Sequence, residues 1–175
     1  MNTLAEKRKR AERIYKILSE EFPDAGVLLE YETPYQLLIA TILAAQCTDE
    51  RVNEVTKVLF KHYPTPEKMA GASIEKIEEI IKPTGFYRNK AKSVKNVSEA
   101  LVKKYAGNIP GSIEELTSLP GIGRKTANVV LGNCFSQPVI IVDTHVRRVS
   151  QRLGLAESSD PELHLLFSFL YRVNL

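Results

Sequence analysis

Apolar residues recur at three- and four-residue spacing along most of this chain, the period of an amphipathic helix. Residues 4–22 open the series: Ala11, Ile14, Tyr15, Leu18 and Phe22 share one face, and Lys7 to Arg10 form a basic start read as a solvated surface. Pro23-Asp24-Ala25-Gly26 breaks the pattern. Thr33-Pro34 is an N-cap with proline at the first helical position, and its helix is expected to reach about Gln46. Leu37, Leu38, Ile39, Ile42, Leu43, Ala44 and Ala45 make that helix apolar nearly all round, which places it at the centre of a core. Thr48 or Asp49 caps the next helix, to about Tyr63. Thr65-Pro66 and Ser73 open two shorter ones, the second ending near Lys82-Pro83. Gly85-Phe86 leads into a helix that ends before Gly107; Lys90 and Lys92 on it are read as phosphate contacts or as solvated helix surface. Ser112-Ile113-Glu114-Glu115 is a capping box, and a last clear helical pattern runs from Arg124 to about Leu131. The single strand-like run, Pro138 to Val142, has no partner to pair with and is expected to be a buried extended link. The element count gives an all-α protein.

Composition narrows the picture only a little. An apolar fraction of 43% and a charged fraction of 26% are ordinary for a globular chain, and 175 residues can bury a real core as one domain or two small ones. A net charge of +3 permits a nucleic-acid partner without demanding one. The two cysteines, Cys47 and Cys134, are too far apart in sequence to suggest a disulfide framework, and His62, His145 and His164 have no metal-ligand spacing. The N-terminus is charged and lacks a signal-peptide core, so the expected compartment is the cytoplasm, with no membrane association.

Chemistry concentrates between Leu119 and Arg148. Leu119-Pro120-Gly121-Ile122-Gly123 is a tight turn leading straight into a helix, a helix-hairpin-helix pattern. Two glycines permit positive φ and close approach of a foreign backbone, and the turn with the helix start forms an anion site suited to a phosphate. Such a grip reads no base sequence. Lys125 lies in the helix's first turn, where the macrodipole disfavours a cation, and a lysine amine is a candidate nucleophile. Spacing alone equally allows a plain phosphate or solvent contact. Asp143 is a good N-cap for a helix starting at Thr144, and a cap fixes a carboxylate in place.

LPGIGRKTANVVL followed by VDTHVRRV resembles the endonuclease III family of DNA glycosylases, in the HhH-GPD superfamily, over residues 1 to about 155. The resemblance implies that Lys125 attacks the sugar C1′ of a damaged nucleotide and that Asp143 assists. LAAQCTD matches a DNA-facing turn of the family, so Gln46 is expected to fill the hole left by the extruded nucleotide; without the resemblance it reads as a polar helix end. Phe86 stands where the family inserts a bulky residue into the duplex; otherwise it reads as a core aromatic. Gly121, Ile122, Gly123, Arg124, Thr144 and His145 are the remaining expected DNA contacts. The implied fold is a six-helix domain over residues 27–137, with the hairpin at about 112–132, and a second helical domain from 1–26 and 138–175. Lys125 and Asp143 would face each other across the cleft. The implied activity is base-excision glycosylase and AP lyase on oxidised pyrimidines in duplex DNA, by a monomer at the nucleoid without an obligate protein partner. Two alternatives stay open. A monofunctional mismatch glycosylase would lack the lysine, and a non-catalytic helix-hairpin-helix module would only bind DNA.

The motif resemblance fades after about Asp160. Family members usually continue and end in a C-x6-C-x2-C-x5-C set that holds a [4Fe-4S] cluster; here PELHLLFSFLYRVNL carries no cysteine. The second domain is therefore expected to be incomplete and the chain to bind no metal or cluster. Leu163, Leu165, Leu166, Phe167, Phe169 and Leu170 are expected to form an under-partnered apolar patch, giving a colourless, poorly soluble protein with feeble lyase activity.

Overall fold

Most helices here begin where a side chain replaces a missing carbonyl. A computed structural model describes residues 4–139 and 141–155, and among them the regular elements are all helical. In order they are α1 (Leu4–Glu21), α2 (Pro34–Leu43), α3 (Asp49–His62), α4 (Pro66–Ala70), α5 (Ile74–Ile81), a 3-10 turn (Lys82–Thr84), α6 (Tyr87–Tyr105), α7 (Ile113–Thr117), α8 (Arg124–Cys134) and α9 (Thr144–Arg152). The side chains of Thr33, Thr48, Thr65 and Ser112 accept the N–H of Gln36, Arg51, Lys68 and Glu115 respectively. Each such cap stabilises its helix by about 0.5–2 kcal/mol. At Ser112 the box closes differently from the usual reciprocal form: Oγ donates to Glu115 Oε2 at 2.7 Å. Ser73 stands at the cap position of α5 but makes no side-chain cap bond.

Three boundaries differ from the sequence pattern. The first helix stops at Glu21, one residue before Phe22. The central helix α2 stops at Leu43 rather than near Gln46, because the Cys47 N–H bonds Ala44 O at 3.1 Å and Gln46 takes a left-handed φ of 54°. Helix α8 runs on past Leu131 to Cys134. The link before Asp143 is not buried: Val139, Ile141 and Val142 are half-buried, Pro138 is exposed, and no strand forms among the described residues.

The chain divides into two compact units, one of them Val27–Phe135, carrying α2 to α8. Leu37, Leu38, Ile39, Ala40 and Leu43 of α2 are completely buried, and α2 packs against α3, α6 and α8. Each fully buried Leu or Ile contributes about 1.5–3 kcal/mol. Helix α6 also covers α4 and α5, and α7 packs on α8. The Tyr35 and Ser98 hydroxyls hydrogen-bond at 3.1 Å inside the α2–α6 contact. Asn53 of α3 pins the chain ahead of α2 by donating to Leu28 O and accepting from the Glu30 N–H.

The other unit contains α1 and α9 among its described residues. Ala11 and Leu155 are buried together, with Ile14 packed beside them. Arg10 Nη1 donates to Gly154 O at 3.4 Å. Tyr15, Leu18 and Phe22, on the same expected face, are exposed. The apolar residues expected to form a patch, Leu163 to Leu170, lie outside the described residues.

Candidate functional site

The hairpin is held by its apolar residues and opened by its glycines. Leu116, Leu119 and Ile122 are buried, and the Ile122 N–H closes the turn on Leu119 O at 3.2 Å. Gly121 takes φ +78°, a conformation that side chains rarely adopt. Gly123 does not use that freedom: it sits in ordinary extended backbone, φ −92° and ψ 170°, as the N-cap of α8. A Cβ there would meet nothing within 4 Å, so the free protein's packing does not require glycine at this position. What glycine leaves is open ground before a helix end without a side-chain cap. First-turn N–H groups of a helix have no carbonyl partner within it, and together with the macrodipole they suit an anion.

Arg124 and Lys125 are the first two residues of α8, and both are exposed, whereas Ala127 to Leu131 are buried and anchor the helix. Gly121, Gly123, Arg124 and Lys125 are thus exposed together at the head of α8, over the buried side chain of Ile122. Asp143, Thr144 and His145 belong to the other unit. The Asp143 carboxylate accepts the Val146 N–H at 2.8 Å, so the expected cap is made, and the residue is half-buried. Thr144 and His145 are exposed in the first turn of α9, and Arg148 Nη2 donates to His145 Nδ1 at 3.2 Å.

Gln46 and Phe86 are not simple helix ends. Both are non-glycine residues in the left-handed region, with φ 54° and 46°. Such conformations cost roughly 1–3 kcal/mol each and persist where surrounding structure imposes them. Phe86 is 67% exposed, so it is not a core aromatic. Gln46 is exposed as well.

Lys90 neither reaches out to a phosphate nor solvates the helix, against both sequence readings. It is only 6% exposed, and its Nζ donates to Leu43 O at 2.9 Å and Thr84 O at 2.7 Å. Leu43 is the last residue of α2 and Thr84 the last of the 3-10 turn, so one ammonium caps two element ends. Burial holds its pKa below the ordinary lysine range, partly offset by the nearby Cys47. The signal was present in sequence: Lys90 falls in register with Val94, Val97 and Leu101 on the buried face of α6. Lys92 is exposed.

Cys47 and Cys134 are free thiols, and burial pushes Cys134 up, away from the reactive thiolate. Among the described residues no group of three or more His, Cys, Asp or Glu could hold a metal ion. A [4Fe-4S] cluster takes four thiolates, and these 175 residues include two cysteines, one on each side of α3 to α7. The residues present do not fit such a cluster. No described helix is long and apolar enough to cross a membrane.

Residues 39–169 match the family model for the HhH-GPD superfamily base excision DNA repair protein. That match runs past Asp160, so the likeness reaches further into the tail than the motifs alone suggest. Endonuclease III of Synechocystis sp. is 49% identical over 162 residues, 92% of this chain and 74% of that protein. A solved non-covalent endonuclease III–DNA complex superposes with a TM-score of 0.85 at 42% identity, covering 97% of this chain and 78% of that one. A trapped endonuclease III–DNA covalent intermediate gives the same TM-score at 41% identity, covering 99% of this chain and 79% of that one. The chain belongs to the endonuclease III family.

Proposed function

We propose that this chain is a base-excision DNA glycosylase and AP lyase for oxidised pyrimidines in duplex DNA, working through an imine at Lys125. The observation that carries the reading is the placement of Lys125: an exposed amine one residue into α8, beside the turn fitted to hold a phosphate. The damaged nucleotide leaves the stack, which costs least where pairing is already weakened. Lys125 Nζ forms a bond to C1′ as the glycosidic bond breaks, and the base departs with the bonding electrons and takes up a proton. Ring opening then gives an imine between Lys125 and C1′. The imine acidifies the 2′ proton; its loss expels the 3′ phosphate and nicks the strand, and water returns the free lysine. The Asp143 carboxylate stabilises the positive charge that develops on the sugar and takes a proton from the attacking amine. No step changes an oxidation state, so the chemistry calls for no redox partner. A monomer acting on nucleoid DNA without an obligate protein partner belongs to the same proposal. The test is incubation with a duplex carrying one oxidised pyrimidine: nicking at the lesion with borohydride-capturable protein supports the reading, and base release without capture argues for a monofunctional enzyme.

Two further outcomes follow from the surfaces that grip and open the duplex. Gly123→Val leaves the fold intact, since nothing lies within 4 Å of the new Cβ, but fills the ground a phosphate must occupy. Losing one charge-assisted hydrogen bond costs about 1.5–3 kcal/mol, on the order of ten- to a hundredfold in Kd. The loss should be the same for every DNA sequence, and wild-type affinity should fall with salt. Fluorescence anisotropy on two unrelated duplexes across a salt series checks both; salt-independent binding contradicts the phosphate grip.

Phe86→Ala removes an exposed side chain, so stability should change little. Excision from duplex DNA should fall about ten- to a hundredfold more than excision from single strands, where nothing must be unstacked. Equal losses on the two substrates in single-turnover assays would rule out insertion.

A further inference from the structure

Two strained turns and one buried cation are joined in a way that the chemistry above does not use. Gln46 follows the C-terminus of α2 by three residues, and Phe86 follows the 3-10 turn by two. Neither is a glycine, yet each holds a left-handed φ, and Phe86 makes no side-chain cap at the start of α6. The carbonyls just ahead of these two turns, Leu43 O and Thr84 O, are both bonded by Lys90 Nζ.

These carbonyls are ones that helical geometry leaves over. At the end of a helix the last C=O groups have no N–H four residues on to receive. The Cys47 N–H, which would serve Leu43 O in a longer helix, bonds Ala44 O instead, and the chain turns at Gln46. The Gly85 N–H bonds Lys82 O, and the Asn89 and Lys90 N–H groups both go to Phe86 O. Lys90 therefore supplies the donors that the two turns withhold from their own backbones. Its stem lies in the packed face of α6, beside Ala91 and Val94, which are completely buried. That packing leaves the ammonium little freedom to follow either carbonyl if the other moves.

We propose that Lys90 is a positioning residue for duplex opening: by bonding Leu43 O and Thr84 O together, it holds the Gln46 and Phe86 turns at one fixed spacing, so that both side chains enter the stack in a single step. This rests on the reading of the protein as a base-flipping glycosylase. Lys90 touches no DNA and takes no part in bond making at C1′. A lysine suits the task better than a neutral residue. Its three N–H donors serve two carbonyls at once, and its positive charge is favourable at the negative C-terminal end of α2.

The experiment uses the full chain with Lys90→Met, which keeps an unbranched apolar stem and removes the donors. Single-turnover nicking of a lesion-bearing duplex should fall about ten- to a hundredfold, the scale expected when reacting groups are misplaced by about an ångström. Borohydride capture on a single-stranded abasic oligonucleotide should stay within about twofold, because no stack has to be opened. A 2-aminopurine placed beside the abasic site should brighten on binding the wild type and much less on binding Lys90→Met. In a Phe86→Ala background, Lys90→Met should cost clearly less than it does in the wild type, since one of the two side chains whose spacing it sets is gone. Equal losses on duplex and single strand, or a Lys90→Met effect undiminished in the Phe86→Ala background, would overturn the proposal and leave Lys90 a packing residue. Should Lys90→Met fail to fold, Lys90→Gln, which keeps N–H donors on a shorter neutral side chain, is read by the same ratio. Absence of capture by the wild type on either substrate would instead count against the glycosylase–lyase reading itself.

Discussion

Lys125→Gln abolishes borohydride capture of an abasic-site duplex and slows strand nicking by on the order of a thousandfold or more, the scale seen when a covalent catalyst loses its nucleophile. The substitution leaves the buried side of α8 unchanged. Lys125 is exposed on the first turn of α8, and the residues that hold that helix are Ala127 to Leu131 on its buried side. Surface changes away from packing usually shift stability by within about 0.5 kcal/mol. The hairpin turn and the backbone N–H groups of the helix start are untouched, so DNA affinity should drop only by the loss of one cation. A variant that binds like the wild type but leaves no covalent trace separates the two jobs of this surface: gripping a phosphate through backbone, and attacking the sugar through a side chain. The non-catalytic alternative predicts no capture by either protein. The check is gel-shifted crosslink yield beside binding by anisotropy.

Asp143→Asn should slow base release by about 100- to 1,000-fold, the range for removing one preorganised electrostatic group, with DNA binding largely intact. Asparagine is the right probe because it caps a helix about as well as aspartate does. Its side-chain oxygen can still accept the Val146 N–H that Asp143 now accepts at 2.8 Å, so α9 keeps its start. Only the charge and the proton-accepting capacity disappear. Asp143→Ala removes both functions and should cost a further 0.5–2 kcal/mol or so of stability. Comparing thermal melts of the two variants with their single-turnover rates assigns each role. If Asp143→Asn releases base at the wild-type rate while Asp143→Ala loses stability, capping is all that the residue does.

Local chemistry carried most of the architecture into the sequence. Thr33, Thr48, Thr65, Ser112 and Asp143 all announce helix starts, because capping depends on one side chain and the next few N–H groups. The burial of α2 was equally legible for Leu37, Leu38, Ile39 and Leu43, whereas Ala45 of the same apolar run lies past the helix end and is exposed. What the sequence concealed depends on contacts between distant segments. Lys90 stands in a basic run with Arg88, Lys92 and Lys95; its register with Val94 and Val97 marks the buried face of α6, but only the approach of α2 to α6 turns it into a double cap. The left-handed turns at Gln46 and Phe86 were hidden for the same reason: neither residue favours that conformation, so the surroundings must impose it. Gly123 fits half of its reading: the sequence offered both a positive φ and room for a foreign backbone, and the structure shows an ordinary angle with open space where a Cβ would stand. For the tail beyond Leu155, the family match to residue 169 extends what the motifs alone conveyed.

The account turns on which atom joins protein to DNA. Wild-type protein is mixed with an abasic-site duplex, reduced with borohydride, digested with nuclease and protease, and the modified peptide is sequenced by mass spectrometry. A single sugar-phosphate remnant on Lys125 is the predicted result. A remnant on Lys90, on Lys92 or on any other amine, with Lys125 unmodified, would contradict it.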